Sequence, residues 1–371
     1  MRIGVDAREL QGRPTGTGRY LRNLLRHWGH GDPQDEIFAY LSGPEPGDTV
    51  LAAPRVRVRA VGNGRERGLV WQERRLPAAA SADALDVFFA PAYACPLGLA
   101  VPRVTTVHDL SFFSHPQDFP YLEGLRRRLL VGASVRVSEA LIAVSPFTRG
   151  ELAARFPDAA PRVVTVLEGP DDDLPPPPPR EATRARLGVS GPLLLSVGSV
   201  FNRRCLPDLL QAVALLARAY PDVRLHVVGD NRTHPRLDLE RLARDRGVTR
   251  LVRFLGFVGE GELADHYAAA DVALALSEYE GFGLPALEAL ARGVPLVLAD
   301  RPALHELFGE AGLLVSPRDP SGIAAAVARV LGSDTLRLDL VSRGRLVASR
   351  FSWPEAARQT LNVLRGAARE R

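Results

Sequence analysis

Residues 271–288 read DVALALSEYEGFGLPALE, and this stretch decides the fold. The apolar run Asp271–Leu276 predicts a buried β-strand. Gly281 and Gly283 suit a loop in which the backbone approaches a ligand closely or takes positive φ. Pro285 fits the first turn of a helix, because its missing N–H is not needed there. The stretch therefore predicts a strand, a loop and a helix in direct succession.

Two glutamates lie on either side of the glycine-containing loop. Glu280 follows the strand, and Glu288 lies just inside the helix. The free N–H groups of a helix start bind anions such as phosphate. Since carboxylates beside a phosphate site suit sugar hydroxyls, the segment predicts a nucleotide-sugar site. The alternative is an ordinary strand–loop–helix with two incidental glutamates.

The alternation of strands and helices continues in both directions along the chain. Short apolar runs such as Arg2–Asp6 and Leu193–Val197 are followed by longer amphipathic stretches such as Arg19–Trp28 and Leu206–Tyr220. This order is typical of parallel sheets covered by helices on both faces. We therefore predict an α/β fold class with two doubly wound, Rossmann-like domains.

A proline-rich segment interrupts the alternation and predicts the domain boundary. It contains Pro175–Pro179, and successive prolines lack N–H groups for a sheet and favour polyproline II. We predict an N-terminal domain at 1–168, a linker at 169–192, a C-terminal domain at 193–350 and a C-terminal helix at 351–371 that packs on the first domain. Ligands bind at the C-terminal ends of such strands, so the two domains are expected to face a cleft.

Composition excludes several function classes. Lys and Arg together number 47 and every one is Arg, so Schiff-base, PLP and P-loop lysine chemistry are excluded. A net charge of +4 without a clustered basic face argues against nucleic-acid binding. Cys95 and Cys205 lack metal or redox spacing, no signal peptide is expected, and no stretch reaches ~18 successive apolar residues. A cytoplasmic location is therefore expected.

Around Glu280 and Glu288 the sequence resembles the group 1 glycosyltransferases, also called glycosyltransferase family 4, of GT-B fold. Their hallmark is a pair of glutamates around the string E-G-F-G-L-P. The family implies transfer of a hexose from a nucleotide sugar with retention at the anomeric carbon, without a metal or other cofactor. Further segments carry the resemblance along the chain: Gly4–Arg8, Thr15–Tyr20, Thr106–Leu110, Ala143–Ser145, Ser196–Ser199 and Phe351–Trp353.

The resemblance also implies a role for each residue of the central string. Glu288 would hold the ribose hydroxyls of the donor, and Glu280 would hold the donor sugar. The backbone that follows Glu280 would contact the same sugar, through Gly281, Phe282, Gly283 and Leu284. The start of the chain is most similar to the mannosyltransferase-like branch, so GDP-mannose is the first expected donor.

A cationic pair is expected beside the leaving diphosphate, since without a metal the protein itself must stabilise the developing charge. The family usually presents Arg-Lys-Asn here, and the aligned residues are Arg203, Arg204 and Cys205. Arginine binds phosphate bidentately and keeps its charge, although it is not equivalent to lysine. A solvated arginine pair is the alternative. If the replacement of lysine is neutral, Arg204→Lys is expected to retain activity.

Four further residues complete the expected site. Gly16 and Thr17 follow the first strand, and in the family this loop closes over the donor phosphates. Val258 lies where the family's backbone reads the base. His108 ends an apolar strand, and the family places such a histidine beside the reacting sugar, whereas a structural histidine is the alternative. The family has no obvious nucleophile, and front-face attack with proton transfer to the leaving phosphate is the usual proposal.

The acceptor is expected to be a glycan, a lipid-linked molecule or a small molecule, selected by loops such as Phe112–Tyr121. Arg126–Arg128 precede apolar residues and suggest peripheral contact with an anionic membrane, with a solvated helix face as the alternative. Asp171–Asp173 is interpreted as a solvated linker rather than a metal site. Two other functions remain open, a GT-B sugar-nucleotide epimerase and a catalytically silent scaffold.

Overall fold

The structure, a computed structural model, describes residues 1–13, 16–32, 34–62, 64, 68–171 and 175–369. Contacts between residues divide the chain into two compact units. The first unit comprises Met1–Phe113, Leu122–Gly169 and Ser352–Arg371. The second unit comprises Ser114–Tyr121 and Pro170–Phe351.

The first unit is built on a parallel seven-stranded sheet in the order β3-β2-β1-β4-β5-β6-β7. Every residue of β4 is buried, as expected for a parallel strand covered on both faces. The strands are β1 Arg2–Asp6, β2 Glu36–Leu41, β3 Val56–Ala60, β4 Val87–Ala90, β5 Arg103–Val107, β6 Ala140–Ala143 and β7 Val163–Thr165.

Helices connect these strands. A π-helical turn at Trp71–Arg75 leads into α2, and the buried Trp71 packs in the core with Phe38 and Phe88. The helices are α1 Gly16–Trp28, α2 Leu76–Ala82, α3 Ser111–Ser114, α4 Tyr121–Val137 and α5 Pro146–Arg155.

The second unit is built on a parallel six-stranded sheet in the order β10-β9-β8-β11-β12-β13. Its strands are β8 Leu193–Val197, β9 Arg224–Val228, β10 Val252–Gly256, β11 Val272–Ala275, β12 Leu296–Ala299 and β13 Gly312–Val315. Its helices are α6 Arg180–Leu187, α7 Leu206–Leu216, α8 Leu239–Asp245, α9 Glu260–Ala269, α10 Leu284–Ala291, α11 Pro302–Phe308, α12 Pro320–Leu331 and α13 Asp334–Ala348. The predicted fold class, two doubly wound α/β units, is confirmed.

The C-terminal helix α14, Trp353–Arg369, returns to the first unit. It packs along α1, where the Trp28 indole N–H donates to the Ala357 carbonyl at 3.0 Å. Trp353 is buried and its ring meets that of Tyr20 edge to face at 5.9 Å. The predicted packing of this helix on the first domain is therefore also confirmed.

The structure adds elements that the sequence did not predict. Helix α6 occupies the middle of the segment interpreted as a linker, and it belongs to the second unit. Its Arg184 side chain lies 3.0 Å from the carboxylate of Asp271 and donates to the Ala269 carbonyl at 2.9 Å. These tertiary contacts, rather than an apolar periodicity, hold the helix. Helix α11 and strand β13 were not predicted either.

Candidate active site

The end of the second sheet at which β8 and β11 finish is its topological switch point. The chain proceeds from β8 towards β9 on one side and from β11 towards β12 on the other. In doubly wound sheets, this divergence opens a crevice for ligands at the C-terminal strand ends. A small cavity of ≈ 20 Å³ lies here, lined by Val197, Arg204, Ser277 and Glu280 among others.

Arg204 and Glu280, which are distant in sequence, meet in this cavity. The Arg204 Nη1 donates to the Val197 carbonyl at 2.6 Å, and Nη2 lies 3.0 Å from Glu280 Oε1. The Ser277 hydroxyl donates to the same carboxylate oxygen at 2.7 Å. The structure therefore brings together a cation and a carboxylate, each about one-fifth exposed, at the position expected for a ligand.

Gly198 makes room for the guanidinium. Its φ of +112° lies in the region that favours glycine. A Cβ at this position would come within 2.5 Å of Arg204 Nη1. The glycine after β8 is therefore a requirement of the Arg204 geometry.

Arg203 and Arg204 do not form one cationic surface. Arg203 is 8% exposed, and its guanidinium carbon lies 4.3 Å from the centre of the Phe201 ring. Its backbone carbonyl accepts from the Glu278 N–H at 2.8 Å, which ties the β8 loop to the β11 loop. In this structure Arg204 is the member of the predicted pair that lines the cavity.

Cys205, which stands where the family usually has asparagine, has a left-handed backbone with φ of +51°. Asparagine tolerates this conformation better than most residues, because its short polar side chain bonds locally. The Cys205 thiol is buried, and burial raises its pKa to about 12. The cysteine therefore fills the turn before α7 as an unionised, packed side chain.

Glu288 lies on α10, where its carboxylate is shielded from water. It is 1% exposed, and its Oε2 accepts from the Tyr267 hydroxyl at 2.8 Å. The carboxylate predicted to bind the ribose is therefore covered by protein in this structure. Gly283 has φ of +103° at the start of α10, where a Cβ would meet Leu304 at 2.7 Å.

The other residues predicted to contact the donor lie around this centre. Phe282 is buried against Phe308 and Phe351, with ring centres 5.9 and 5.7 Å away, so its side chain serves packing. Gly281 is buried and Leu284 is partly buried at the first residue of α10. Val258 is partly buried after the edge strand β10, on the opposite side of β9 from β8.

In the first unit, His108 follows β5 and both of its ring nitrogens have partners. Nε2 lies 2.8 Å from the Pro91 carbonyl oxygen, and Nδ1 lies 3.3 Å from Glu168 Oε1. Glu168 is buried after β7 and was not singled out from sequence. A signal was present, since Glu168 lies shortly after β7, a strand whose carboxyl end is at the same sheet edge as His108. Burial lowers the His108 pKa, but the hydrogen bond and charge of Glu168, the Pro91 carbonyl and the charge of Asp109 together raise it above its ordinary value.

Gly16 and Thr17 form the first turn of α1 rather than a loop before it. Gly16 is exposed, and a Cβ there would have open space around it. Thr15, quoted with them, lies outside the described residues, as do Asp172 and Asp173 of the acidic run. In the ranges described, no group of three or more His, Cys, Asp or Glu residues is arranged to hold a metal ion.

Solved structures define the class of fold. Sucrose-phosphate synthase from Thermosynechococcus elongatus superposes with a TM-score of 0.79 at 20% identity, covering 99% of this chain and 98% of that one. WaaG, a glycosyltransferase involved in lipopolysaccharide biosynthesis, gives 0.76 at 18% identity, covering 99% and 100%. Anabaena HepE in complex with UDP-glucose gives 0.77 at 22% identity, covering 98% and 99%. The chain thus has the GT-B fold.

Sequence relatives define the family. Residues 14–174 match Glycosyltransferase Family 4, and residues 191–333 match Glycosyl transferases group 1. The O-antigen chain mannosyltransferase B of Escherichia coli is 32% identical over 265 residues, covering 70% of this chain and 69% of that protein. A D-inositol 3-phosphate glycosyltransferase of Geodermatophilus obscurus is 35% identical over 286 residues, covering 73% of this chain and 62% of that protein. The chain belongs to the group 1 glycosyltransferases, and the family prediction is confirmed.

Proposed function

We propose that this glycosyltransferase moves a hexosyl group from a nucleotide sugar to an acceptor hydroxyl with retention, without a metal. The bond from the anomeric carbon to the acceptor oxygen forms as the bond to the diphosphate oxygen breaks. The acceptor's proton passes to that leaving oxygen. The observation that carries the proposal is the Arg204–Glu280 pair at the switch point of the second sheet.

Each member of the pair has a proposed role. The Arg204 guanidinium offers fixed N–H donors to the β-phosphate, on which negative charge develops as the bond breaks. Glu280, with the backbone of Gly281–Gly283, binds hydroxyls of the donor sugar. Glu288 binds the ribose, which requires the residues that cover its carboxylate to move. Arg204→Ala and Glu288→Ala are each expected to abolish donor turnover, and full activity in both would refute the site.

We propose GDP-mannose as the donor. Support comes from the similarity to the E. coli mannosyltransferase, whereas the HepE structure holds UDP-glucose and represents the competing choice. A thermal-shift panel of UDP, GDP, ADP and their sugars decides between them, because a ligand that binds the folded state stabilises it by about 2.7 kcal/mol at 100 Kd. GDP and GDP-mannose are expected to stand out. A shift with UDP compounds alone would reject this donor.

We propose that helix α4 brings the enzyme to an anionic membrane, where a lipid-linked acceptor would be found. Leu122 and Leu129 are 76% and 65% exposed, and Leu125 lies between them at helical spacing on the same face. Arg126 and Arg128 are the nearby cations, which suits anionic headgroups. No helix within the described ranges is long and apolar enough to cross a membrane.

Vesicle co-sedimentation tests this contact. We expect binding to vesicles of phosphatidylcholine with phosphatidylglycerol, and much weaker binding to phosphatidylcholine alone. Leu122→Ser with Leu129→Ser is expected to remove the binding. The matched control is Leu338→Ser with Leu346→Ser, which changes two leucines on α13 that are 66% and 63% exposed. Equal binding by the two double variants would contradict the proposal.

We place the enzyme in the cytoplasm, since both of its cysteines are free.

Acceptor-dependent release of nucleoside diphosphate distinguishes transfer from epimerisation. An epimerase would convert the nucleotide sugar without any acceptor. A silent scaffold would bind no nucleoside diphosphate in calorimetry. We expect binding, and we expect release only when an acceptor is present.

A further inference from the structure

His108 and Glu168 form a buried pair at the carboxyl edge of the first sheet. The side chains are 13% and 3% exposed, and they lie 60 residues apart in sequence. A backbone carbonyl accepts hydrogen bonds and cannot donate them, so the contact from Nε2 to the Pro91 oxygen places a proton on Nε2. The other nitrogen, Nδ1, faces the Glu168 carboxylate at 3.3 Å. A carboxylate oxygen accepts a hydrogen bond, so this contact places a second proton on Nδ1 and the ring is a cation.

Neutral groups and carboxylates lie around the ring. The Tyr20 ring meets the imidazole edge to face at 4.8 Å, and its hydroxyl bonds to the Thr106 hydroxyl at 3.1 Å. Helix α5 contributes the neutral Thr148 hydroxyl, which donates to the backbone oxygen of His108 at 3.3 Å. Burial opposes the charge of the imidazolium, but the carboxylates outweigh it and raise the His108 pKa. The titratable groups facing His108 are Glu168, Asp109, Glu9, Tyr20 and Tyr93.

We infer that Glu168 is a positioning residue that holds His108 as an imidazolium with both N–H groups committed to fixed acceptors. This inference rests on the proposed function, and it assigns His108 a definite part in it. A ring that already carries both protons has no lone pair with which to accept the acceptor's proton. His108 therefore acts as a fixed positive charge and not as the general base. The proton of the acceptor hydroxyl therefore passes to the departing diphosphate.

The protonation state is measured by NMR on the protein labelled with 13C at the histidine Cε1 position. The His108 resonance is assigned as the one that disappears in His108→Gln. We expect it to titrate with a midpoint above 6.5, the ordinary histidine value. In Glu168→Gln the midpoint is expected to fall by a unit or more, so that about ten-fold less imidazolium is present at alkaline pH.

The matched control is Glu139→Gln. Glu139 is another carboxylate of the first unit, which accepts from the Arg103 backbone N–H at 2.6 Å. This variant is expected to leave the His108 titration unchanged. A wild-type midpoint at or below 6.5, or no response to Glu168→Gln, would overturn the inference. The wild-type titration decides the charge state even where Glu168→Gln fails to fold.

The pH profile of kcat/KM tests the catalytic consequence. If the cation is the active form, activity falls on the alkaline side, and Glu168→Gln moves that limb to lower pH. A general base would give the opposite result, an acidic limb that the same variant moves to lower pH. Because the NMR titration needs neither donor nor acceptor, it still judges the pair if no transferase activity is found. Failure of the inference and failure of the proposed function are therefore distinguishable.

Discussion

Replacing Arg204 by lysine keeps the positive charge but not the geometry. The guanidinium uses two different nitrogens, Nη1 for the Val197 carbonyl and Nη2 for Glu280. One ammonium nitrogen cannot occupy both positions, so Arg204→Lys is expected to lose one charge-assisted bond. Such bonds contribute about 1.5–3 kcal/mol. The same reasoning applies to the proposed β-phosphate contact, where the guanidinium offers paired N–H donors and lysine a single ammonium nitrogen. The loss of one such bond, at the lower figure because Arg204 is about one-fifth exposed, corresponds to about ten-fold in donor affinity.

Arg184→Lys is the matched control for this substitution. Arg184 also uses two nitrogens, Nη1 for the Ala269 carbonyl at 2.9 Å and Nη2 for the Gly191 carbonyl at 2.5 Å. It lies on α6 and lines no part of the cavity. We expect Arg184→Lys to lower the unfolding free energy while leaving donor affinity in calorimetry unchanged. Arg204→Lys is expected to lower donor affinity and to change the unfolding free energy less than Arg184→Lys does.

The absence of lysine from the natural chain allows a second assay. Each variant contains a single lysine, so an amine-reactive reagent modifies that side chain and otherwise the amino terminus. We expect nucleoside diphosphate to protect the lysine at position 204 and not the one at position 184. Donor affinity within two-fold of the natural enzyme, together with labelling that ignores nucleotide, would refute the assigned role. Unchanged donor affinity with a protected lysine would instead show that the positive charge matters and that the paired guanidinium nitrogens do not.

Three other perturbations follow from the geometry. Gly198→Ala places a side chain at φ of +112° beside a guanidinium, and we expect a loss of about 1–3 kcal/mol of unfolding free energy together with weaker donor binding. Tyr267→Phe removes the hydrogen bond to the buried Glu288 carboxylate, and the denaturant midpoint should report a loss of about 2 kcal/mol. Acidification should destabilise the protein through His226 and His266, whose Nδ1 atoms lie 3.2 Å apart. Burial and the neighbouring ring lower the His226 pKa from 6.5 to about 4. The resulting stabilisation is fully present above pH 6.5 and is lost as the pH falls towards 4. At pH 5 the unfolding free energy is expected to be lower by about 2 kcal/mol.

Two of these predictions have a control variant, and the third has an outcome that would contradict it. Gly16→Ala adds a methyl group in open space at a normal φ, and it should leave the denaturant midpoint unchanged. His226→Leu should flatten the pH dependence between 6.5 and 4. An unchanged acid response in that variant would show that the histidine pair is not its source. For Tyr267→Phe, a midpoint equal to that of the natural protein would show that Glu288 does not depend on this bond.

The sequence predicted most strands and helices because each has a local pattern of apolar, polar and turn-forming residues. Strands β1 and β8 have the predicted bounds, since their apolar runs end at polar or turn-forming residues. The missed elements lack such a signal. Strand β13 has four residues, and α6 is largely polar and is held by its arginines against Asp271. Their stability comes from neighbours that are remote in sequence.

Among the site residues, the sequence determined the chemical types and their positions at strand ends. The spacing of Glu280 and Glu288, the arginines after β8 and the histidine after β5 are all readable from the string. Only the tertiary structure decided which of them meet. Arg204 lies beside Glu280, whereas Arg203 packs against Phe201. Glu288 is buried, and a carboxylate lies beside His108.

The physical reason is the same in every case. Periodicity and turn chemistry act within a few residues, so the sequence by itself determined an α/β chain with polar residues at its strand ends. Strand order in each sheet then decided which of these ends are neighbours, and burial decided which charges are retained. The missing lysine was visible in the sequence, and the structure showed that the arginine in its place uses two nitrogens where lysine has one.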